Sequence, residues 1–342
     1  MKLGLNYFMA PLFFYERTPL EKIACNLCGG YDFKVLSQKG QGGLPLRTVI
    51  CVNCGLIFIN PRMTREGYDD YYKYHYRDHR SAVIGKTDRA ATLQVNFYDA
   101  RKFGRGLAKV VLPYIRDLGL MVDVGSSTGG VLFGMREIVP SIRIMGIEPS
   151  LKESDFARSK GVPTRTLLFE DFIENDTDVR NVSGVLCVRS LNHLLDPAAF
   201  FRWSRRVLKD SGALILVVKN FRHQVRRAGS ISAGVQIDHP YMFTPETLRK
   251  MVEQAGFEVV YLDSDEHKKK DELERQKDAG FSVHHIRLVA RKTEVARKSF
   301  SRLSYWGLRW QFWPPFLKIY YLFKYSRRFR FLKRFYDSWM PF

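Results

Sequence analysis

Two pairs of cysteines in the N-terminal part of the chain have the spacing of a metal site. Each pair has the form Cys-x2-Cys, and the four residues are Cys25, Cys28, Cys51 and Cys54. Two residues between thiolates let a tight turn present both sulfurs to one tetrahedral ion, and Gly29 and Gly55 allow the backbone to fold around it. Four thiolates leave Zn²⁺ no open position, so the sequence predicts a structural zinc ribbon over residues 21–62. Four buried thiols without a metal are the open alternative.

A turn rich in small residues lies near the middle of the chain. Residues 122–130 read Val-Asp-Val-Gly-Ser-Ser-Thr-Gly-Gly. Such a turn lets the backbone come close to a ligand that lies across the carboxyl ends of parallel strands. Glu148 follows the next apolar run, Ile142–Ile147, where its carboxylate can accept hydrogen bonds from both hydroxyls of a ribose. The turn and the acid together predict a nucleoside ligand, and an ordinary strand-to-helix turn beside a surface glutamate is the alternative.

The elements that would position these residues alternate between short β-rich runs and helical stretches. The runs are Met121–Val124, Ile142–Ile147, Val182–Val188 and Leu214–Val218. This alternation is typical of a parallel sheet with crossover helices. Cys187, inside the third run, is predicted to be a small apolar residue of the core.

Helical periodicity and capping residues predict helices before and after the four strands of the sheet. Apolar residues at steps of three and four predict an amphipathic helix over residues 88–118. A Thr-Pro-Glu sequence predicts the start of a helix over residues 245–255. Two further strands, Phe257–Leu262 and Ser282–Ala290, are expected to form a hairpin.

Residues 123–129 resemble motif I of the class I S-adenosylmethionine-dependent methyltransferases, which reads Asp-x-Gly-x-Gly-x-Gly. Asp123, Gly125 and Gly129 match the motif, and Ser127 replaces its middle glycine. The resemblance implies a Rossmann-like α/β fold with a seven-stranded, mostly parallel sheet. It also implies S-adenosylmethionine as the cofactor, with these four residues in its binding site.

Further segments resemble the same family. Glu148 matches the acid that binds the ribose, and Glu170 or Asp171 falls where the acid on the adenine side lies. Residues 191–197 resemble the motif that follows the fourth strand. Residues 239–257 resemble the family segment His…Phe-Ser/Thr-Pro-Glu-x-Leu…Ala-Gly-Phe.

The N-terminal part of the chain resembles a more specific group within this family. Residues 54–62, followed by Tyr71, Tyr72 and Tyr76, look like those of zinc-ribbon methyltransferases similar to bacterial sugar C-methyltransferases and to methyltransferases of polysaccharide pathways. The resemblance then spans about residues 21–292. It implies that the methyl acceptor is a sugar or a glycan.

The acceptor must lose a proton, and histidine suits that step because its pKa lies near neutrality. In the sugar enzymes a Glu-His pair precedes an aromatic-Ser segment, and Asp238-His239 lies at the matching place. We therefore predict His239 as the general base, Asp238 as the residue that orients it, and His193 as the second candidate. A structural histidine, hydrogen-bonded in a loop, is the alternative for both. His284 and His285 are predicted to be structural, in a terminal strand far from the carboxyl-end cleft.

Five tyrosines stand close together after the predicted ribbon. They are Tyr68, Tyr71, Tyr72, Tyr74 and Tyr76. The cluster predicts either a lid over cofactor and acceptor or an aromatic packing joint between the ribbon and the catalytic domain.

The chain is strongly basic, and much of the charge lies at its C-terminal end. Lysine and arginine exceed aspartate and glutamate by 20 over 342 residues, so an anionic partner is expected. Residues 297–342 mix aromatic side chains with arginine and lysine, the composition of an anchor on an anionic membrane surface. A tail that packs onto its own domain is the alternative, and an RNA-binding surface is less favoured.

Length and composition predict several folding units. They are an N-terminal arm (1–20), the zinc ribbon (21–62), a helical linker or lid (63–117), the methyltransferase domain (118–292) and the basic aromatic tail (293–342). No apolar run approaches the ~20 residues of a membrane span. Paired cysteines suit a reducing compartment, so we expect a cytoplasmic protein, at most peripheral at the inner membrane face.

Three functions are compatible with these patterns. The first is methylation of a sugar or glycan, which in one version is lipid-linked at the membrane surface. The second is methylation of RNA, because the net charge suits a phosphate backbone. The third is a scaffold without activity, because Ser127 and Asn192 depart from the family motifs.

Overall fold

The computed structural model describes most of the chain between the two ends. The described residues are 15–76, 79, 89–175, 178–268, 270–278, 284–293, 311–313, 317 and 319. Most of the predicted N-terminal arm and of the predicted tail lies outside these residues. In the described part, no helix combines the length and the apolar character that a membrane crossing requires.

The strands are numbered here in chain order. They are β1 (Leu20–Glu21), β2 (Phe33–Ser37), β3 (Thr48–Cys51), β4 (Ile57–Ile59), β5 (Arg62–Met63), β6 (Leu120–Val124), β7 (Arg143–Ile147), β8 (Thr164–Arg165), β9 (Val182–Val188), β10 (Leu208–Lys219), β11 (Tyr241–Met242), β12 (Phe257–Ser264) and β13 (His285–Lys292).

The helices are numbered in the same way. They are α1 (Arg65–Asp70), α2 (Arg89–Val111), α3 (Gly130–Ile138), α4 (Leu151–Ser159), α5 (Phe169–Asn175), α6 (Pro197–Val207), α7 (Phe221–Ala228), α8 (Pro245–Gln254) and α9 (Lys270–Asp278). A π-helical turn, Tyr71–His75, continues α1, and short 3-10 turns follow several of the other elements.

The central sheet has seven strands in the order β12-β13-β10-β9-β6-β7-β8. The strands from β10 to β8 run parallel to one another, and β13 runs antiparallel to both β10 and β12. The predicted Rossmann-like, mostly parallel sheet is therefore confirmed. All four predicted runs form strands, and the predicted hairpin is the antiparallel pair of β12 and β13.

Both faces of this sheet are covered, and successive residues of a strand point to opposite cores. Met121 packs into the core with α2 and α3, whereas Val122 and Val124 pack into the core with α6 and α8. Burial on both faces explains why these strands read as continuous apolar runs. Cys187 is fully buried in the second of these cores, as predicted.

Two expectations about elements need correction. The helix predicted to reach residue 118 ends at Val111, because Pro113 disfavours helical backbone at the residue before it. His284 and His285 lie at the carboxyl edge of the parallel strands and not far from it, since β13 is antiparallel and His285 pairs with Lys219.

The ribbon and the catalytic region share a sheet. The second sheet has the order β11-β4-β3-β2, and β11 comes from the segment just after the predicted base. Tyr241 pairs with Phe58, and Met242 pairs with Ile57. The cysteine-bearing unit is thus joined by backbone hydrogen bonds to the loops at the carboxyl edge of the central sheet.

Candidate functional site

The turn after β6 has a backbone that only small residues allow. Gly125 and Gly129 have φ values of +74° each, and Ser127 has +48°. A Cβ atom built on Gly125 would lie 2.3 Å from Ser190 Oγ, so the glycine is required by a close approach. The Ser190 hydroxyl donates to the Gly125 carbonyl oxygen at 2.9 Å, which ties the turn to the end of β9.

Glu148 faces this turn from the end of β7. Its Oε2 accepts from the Ser127 amide and its Oε1 from the Ser150 amide, each at 2.9 Å. The residue is 9% exposed. Because a carboxylate offers about four acceptor positions, these bonds are compatible with hydrogen bonds from two ribose hydroxyls.

Asp123 is a buried acid at the end of β6. Burial raises the pKa of its carboxyl to about 8, and the charge of Glu148 adds to the rise. Its Oδ1 atom is buried and has no hydrogen-bond partner among the described residues. An ammonium group beside it would supply both a donor and a counter-charge, so the residues at this turn fit the amino-acid end of S-adenosylmethionine.

Asp171 lies in α5 and is paired across the surface. The Arg65 guanidinium forms ion pairs with Asp171 and, at 3.2 Å, with Glu174. The neighbouring Glu170 accepts from the Leu195 amide at 3.0 Å. Contact of Asp171 with an adenine ring stays a prediction.

The three residues predicted for proton chemistry meet at the carboxyl edge of the sheet, although they come from two separate loops. Nδ1 of His193 lies 3.9 Å from Oδ2 of Asp238, and Nε2 of His239 lies 4.0 Å from Oδ1 of Asp238. The two imidazole rings stand edge to face with their centroids 4.7 Å apart. Asp238 and His239 are buried, and His193 is half-buried, so the cluster opens on the side of His193.

Two further side chains contact this cluster. The Tyr72 hydroxyl lies 3.0 Å from Nδ1 of His193 and 3.4 Å from the carbonyl oxygen of Asp238. The Lys219 ammonium lies 3.5 Å from Nε2 of His239. Lys219 also donates to Oε1 of Gln236 at 3.0 Å, and Oδ1 of Asp238 lies 4.0 Å from the same Nε2 atom, so a cation and a carboxylate both face this ring nitrogen.

The four cysteines form one group, as predicted. The Sγ atoms of Cys25 and Cys54 are 3.3 Å apart, those of Cys28 and Cys51 are 3.5 Å apart, and all four lie within 4.8 Å of one another. These separations match four thiolates around one tetrahedral Zn²⁺ with Zn–S bonds of about 2.3 Å. In the described part of the chain, the four ligand atoms of this group are all sulfur, which suits zinc.

The two cysteine pairs have the same backbone hydrogen bond, from a glycine amide to the carbonyl oxygen of the first cysteine. The Gly29 amide donates to the Cys25 carbonyl oxygen at 2.8 Å, and the Gly55 amide donates to that of Cys51 at 2.9 Å. Hydrogen bonds from Cys25 and Cys54 hold the pKa of the Cys51 thiol well below its usual value. A metal ion would replace the protons that these thiols share.

The tyrosine cluster packs as a joint. Tyr68 and Tyr71 are buried, and the Tyr68 hydroxyl donates to the Ile237 carbonyl oxygen at 3.3 Å. Tyr74 is 69% exposed. Tyr72, from the same group of tyrosines, contacts His193 of the histidine cluster. The packing of the tyrosines and the formation of the site therefore share one residue.

A short part of the predicted tail falls within the described residues. Phe312 and Leu317 are buried, and the Phe312 ring lies 5.5 Å from that of Phe221 in α7. Gln311 accepts from Arg222 at 2.7 Å. This part packs onto the catalytic region, and the remainder of residues 297–342 lies outside the described residues.

The sequence patterns did not indicate some residues of the site. Arg189 follows β9 with a φ of +62°, and its guanidinium lies 4.5 Å above the Phe103 ring. Burial lowers its pKa, and Asp99 partly opposes this effect. No sequence motif pointed to Arg189 or Lys219, because a single cation at the end of a strand has no characteristic spacing.

The mostly parallel sheet has a glycine turn after β6, an acid after β7 and an antiparallel last strand, β13. This is the fold of class I S-adenosylmethionine-dependent methyltransferases. Residues 97–262 match a family described as methyltransferase domains. The chain therefore contains an S-adenosylmethionine-dependent methyltransferase domain. Comparison with curated proteins gives no match.

Solved structures of methyltransferases resemble the chain at low identity. An S-adenosylmethionine-dependent methyltransferase from Clostridium acetobutylicum ATCC 824 is 12% identical, with a TM-score of 0.44, over 65% of this chain and 99% of that one. The CcbJ methyltransferase from Streptomyces caelestis is 20% identical, with a TM-score of 0.42, over 56% and 96%. The plantazolicin methyltransferase BamL is 12% identical, with a TM-score of 0.47, over 66% and 95%. None of these likenesses bears on the acceptor.

Proposed function

We propose that this protein transfers a methyl group from S-adenosylmethionine to an oxygen or carbon atom of a sugar or glycan. The observation that carries the proposal is the cluster of His193, Asp238 and His239, which lies at the same edge of the sheet as the turn at Gly125. The resemblance of the N-terminal segment to sugar methyltransferases supports the choice of acceptor.

When bound, S-adenosylmethionine supplies the electrophilic methyl group, so the protein has to bind and orient the cofactor and the acceptor and to exclude water. In this proposal Glu148 holds the ribose hydroxyls and Asp123 holds the ammonium group. Arg189 is a half-buried cation just after β9, on the opposite side of the turn from Glu148, which follows β7. We assign it the carboxylate at the amino-acid end of the cofactor.

The acceptor's proton is assigned to His239. Nε2 of this ring accepts from Lys219 in the resting site, so a proton taken from the acceptor displaces that contact. Oδ1 of Asp238 lies 4.0 Å from the same Nε2 atom, so its negative charge would stabilise the imidazolium. His193, which Tyr72 holds by its Nδ1, lines the more open side and is assigned to contact with the acceptor hydroxyls.

The acceptor is tested by release of S-adenosylhomocysteine from pure protein offered nucleotide sugars, lipid-linked glycans and RNA in separate reactions. We expect turnover with a carbohydrate acceptor, and mass spectrometry of glycans from cells without the gene should show the loss of one methylene mass. Turnover with RNA alone, falling steeply with salt, would replace the proposal by its rival. Cofactor binding without turnover on any acceptor would favour a scaffold.

The lipid-linked version of the proposal rests on the composition of residues 297–342. It is tested by sedimentation of the full chain with vesicles of anionic or zwitterionic lipid. Binding to anionic vesicles only, weakened by salt, is the expected result.

A further inference from the structure

We propose that the four-cysteine ribbon positions the His193–Asp238–His239 cluster, so that metal binding at the cysteines sets the geometry of the proton-transfer site and leaves the cofactor site unchanged. The inference rests on the function proposed above. It assigns a positioning role to Asn26, which stands between two metal-binding cysteines, and to Arg62.

The first connection runs from the ribbon to the loop that carries His193. Nδ2 of Asn26 donates to Oδ1 of Asp196 at 2.8 Å, and Oδ1 of Asn26 accepts from the Ala198 amide at 2.9 Å. Asp196 is the N-cap of α6 and accepts from the Ala199 amide at 3.0 Å. Asn26 therefore holds the start of α6 only three residues after His193.

The second connection is a buried arginine. Nη1 of Arg62 donates to the Leu195 carbonyl oxygen at 2.7 Å and lies 3.3 Å from the Tyr241 hydroxyl. The same hydroxyl donates to the Leu195 carbonyl oxygen at 3.3 Å. Arg62 is 8% exposed and is also paired with Glu21 at 2.9 Å. One ribbon side chain thus joins the loop after His193 to the strand after His239.

The third connection is made by backbone. The Ile59 amide of β4 donates to the Pro240 carbonyl oxygen at 2.9 Å, and β4 pairs with β11 directly beyond it. Pro240 follows His239 in the chain. The Asn192 amide group donates to the Tyr241 carbonyl oxygen at 3.0 Å, so the two loops that carry the histidines are also joined to each other.

The first and third connections begin within five residues of a metal-binding cysteine, and the second begins at Arg62, eight residues after Cys54. Asn26 lies between Cys25 and Cys28, and β4 begins three residues after Cys54. A tetrahedral ion fixes the four sulfurs relative to one another and therefore fixes the origin of the first connection and, through β4, that of the third. The turn at Gly125, by contrast, takes its hydrogen bonds from the carboxyl ends of β7 and β9, and neither strand carries one of the four cysteines.

The test compares Asn26→Ala with Asn53→Ala in the full-length protein. Asn53 also lies between two cysteines, one position later in the second pair than Asn26 in the first, and it is exposed, so it is the control for general damage to the ribbon. Four quantities are measured: zinc per chain, affinity for S-adenosylhomocysteine by calorimetry, ring signals of the histidines by long-range ¹H–¹⁵N NMR, and turnover with the acceptor identified above.

For Asn26→Ala we expect one zinc per chain, unchanged affinity for S-adenosylhomocysteine, shifted ring signals of His193 and a fall in kcat of about tenfold, because small displacements of a reacting group cost rate. Asn53→Ala should match the wild type in all four. Removal of zinc by a chelator should shift the ring signals of His193 and His239, and added zinc should restore them.

Unchanged ring signals and kcat in Asn26→Ala would overturn the inference. So would a parallel loss of cofactor affinity, because that would show general damage. If the wild type turns over no carbohydrate, the proposed function fails, whereas the NMR measurements still decide whether the ribbon acts on the histidines. If the zinc-free chain unfolds, the ring signals of His193 in the Asn26→Ala variant decide whether the ribbon positions the histidine cluster.

Discussion

Replacement of Asp123 by asparagine should change how the stability of the protein depends on pH. The carboxyl of Asp123 has a pKa of about 8 in the folded chain, raised from 3.8 by burial and by the charge of Glu148. Between these two values the folded chain keeps a proton that the unfolded chain has lost. The free energy of unfolding therefore falls as the pH rises through this window, and asparagine removes that loss.

The magnitude follows from the size of the window. One pH unit within it costs about 1.4 kcal/mol, so a rise from about pH 5 to about pH 7 should cost the wild type about 2.7 kcal/mol relative to Asp123→Asn. All other titrating groups are common to both proteins and cancel in the difference. Because an ammonium group beside Asp123 favours its charged form, saturating S-adenosylmethionine should reduce this difference.

The assay is urea unfolding of both proteins at several pH values, followed by fluorescence, with and without the cofactor. The quantity compared is the free energy of unfolding of Asp123→Asn minus that of the wild type. A difference that stays constant from acid to neutral pH would refute the reasoning. It would show that the carboxylate is charged and adequately solvated in the folded chain.

Four further changes test other parts of the molecule. Glu148→Gln should weaken binding of S-adenosylhomocysteine in calorimetry by about tenfold, because one charged acceptor of the ribose is lost; unchanged affinity would remove Glu148 from the cofactor site. His239→Ala should lower kcat by about 10²–10⁴-fold with little effect on that affinity, and equal losses of both would argue against a general base. Cys54→Ser should lower the zinc content per chain, measured by atomic emission, because three thiolates hold the ion more weakly; full retention would contradict the four-sulfur site. Glu266→Ala should destabilise the fold by about 3–5 kcal/mol in urea unfolding, since it leaves Arg222, which is buried and lies 2.6 Å from Glu266, without its main counter-charge; a loss below about 1 kcal/mol would show that water or Glu246 compensates.

Local patterns were sufficient to predict the central sheet and the glycine turn after β6. The strands β6, β7, β9 and β10 are buried on both faces, so their apolar runs are visible in sequence. The four cysteines were equally visible, because the short spacing within each pair is a direct requirement of tetrahedral coordination. The positive φ of Gly125 explains why a glycine had to stand in that turn.

The partners of the histidine cluster were harder to predict. Resemblance to a family placed Asp238 and His239 next to each other in the chain, but their approach to His193 depends on two loops that meet only in the folded state. Lys219 and Tyr72 carried no signal for this contact. The position of His285 was misjudged, since the direction of a strand is not encoded in its own apolar pattern.

The sequence by itself determined which segments are strands, which cysteines pair closely and where a tight glycine turn follows a strand, because each of these depends on spacing within a few residues. Only the tertiary structure decided that β11 joins the ribbon's sheet and that Asn26 caps a helix 170 residues away. Such pairings are set by how whole elements pack, and the free energy that selects them is spread over many contacts far apart in the chain.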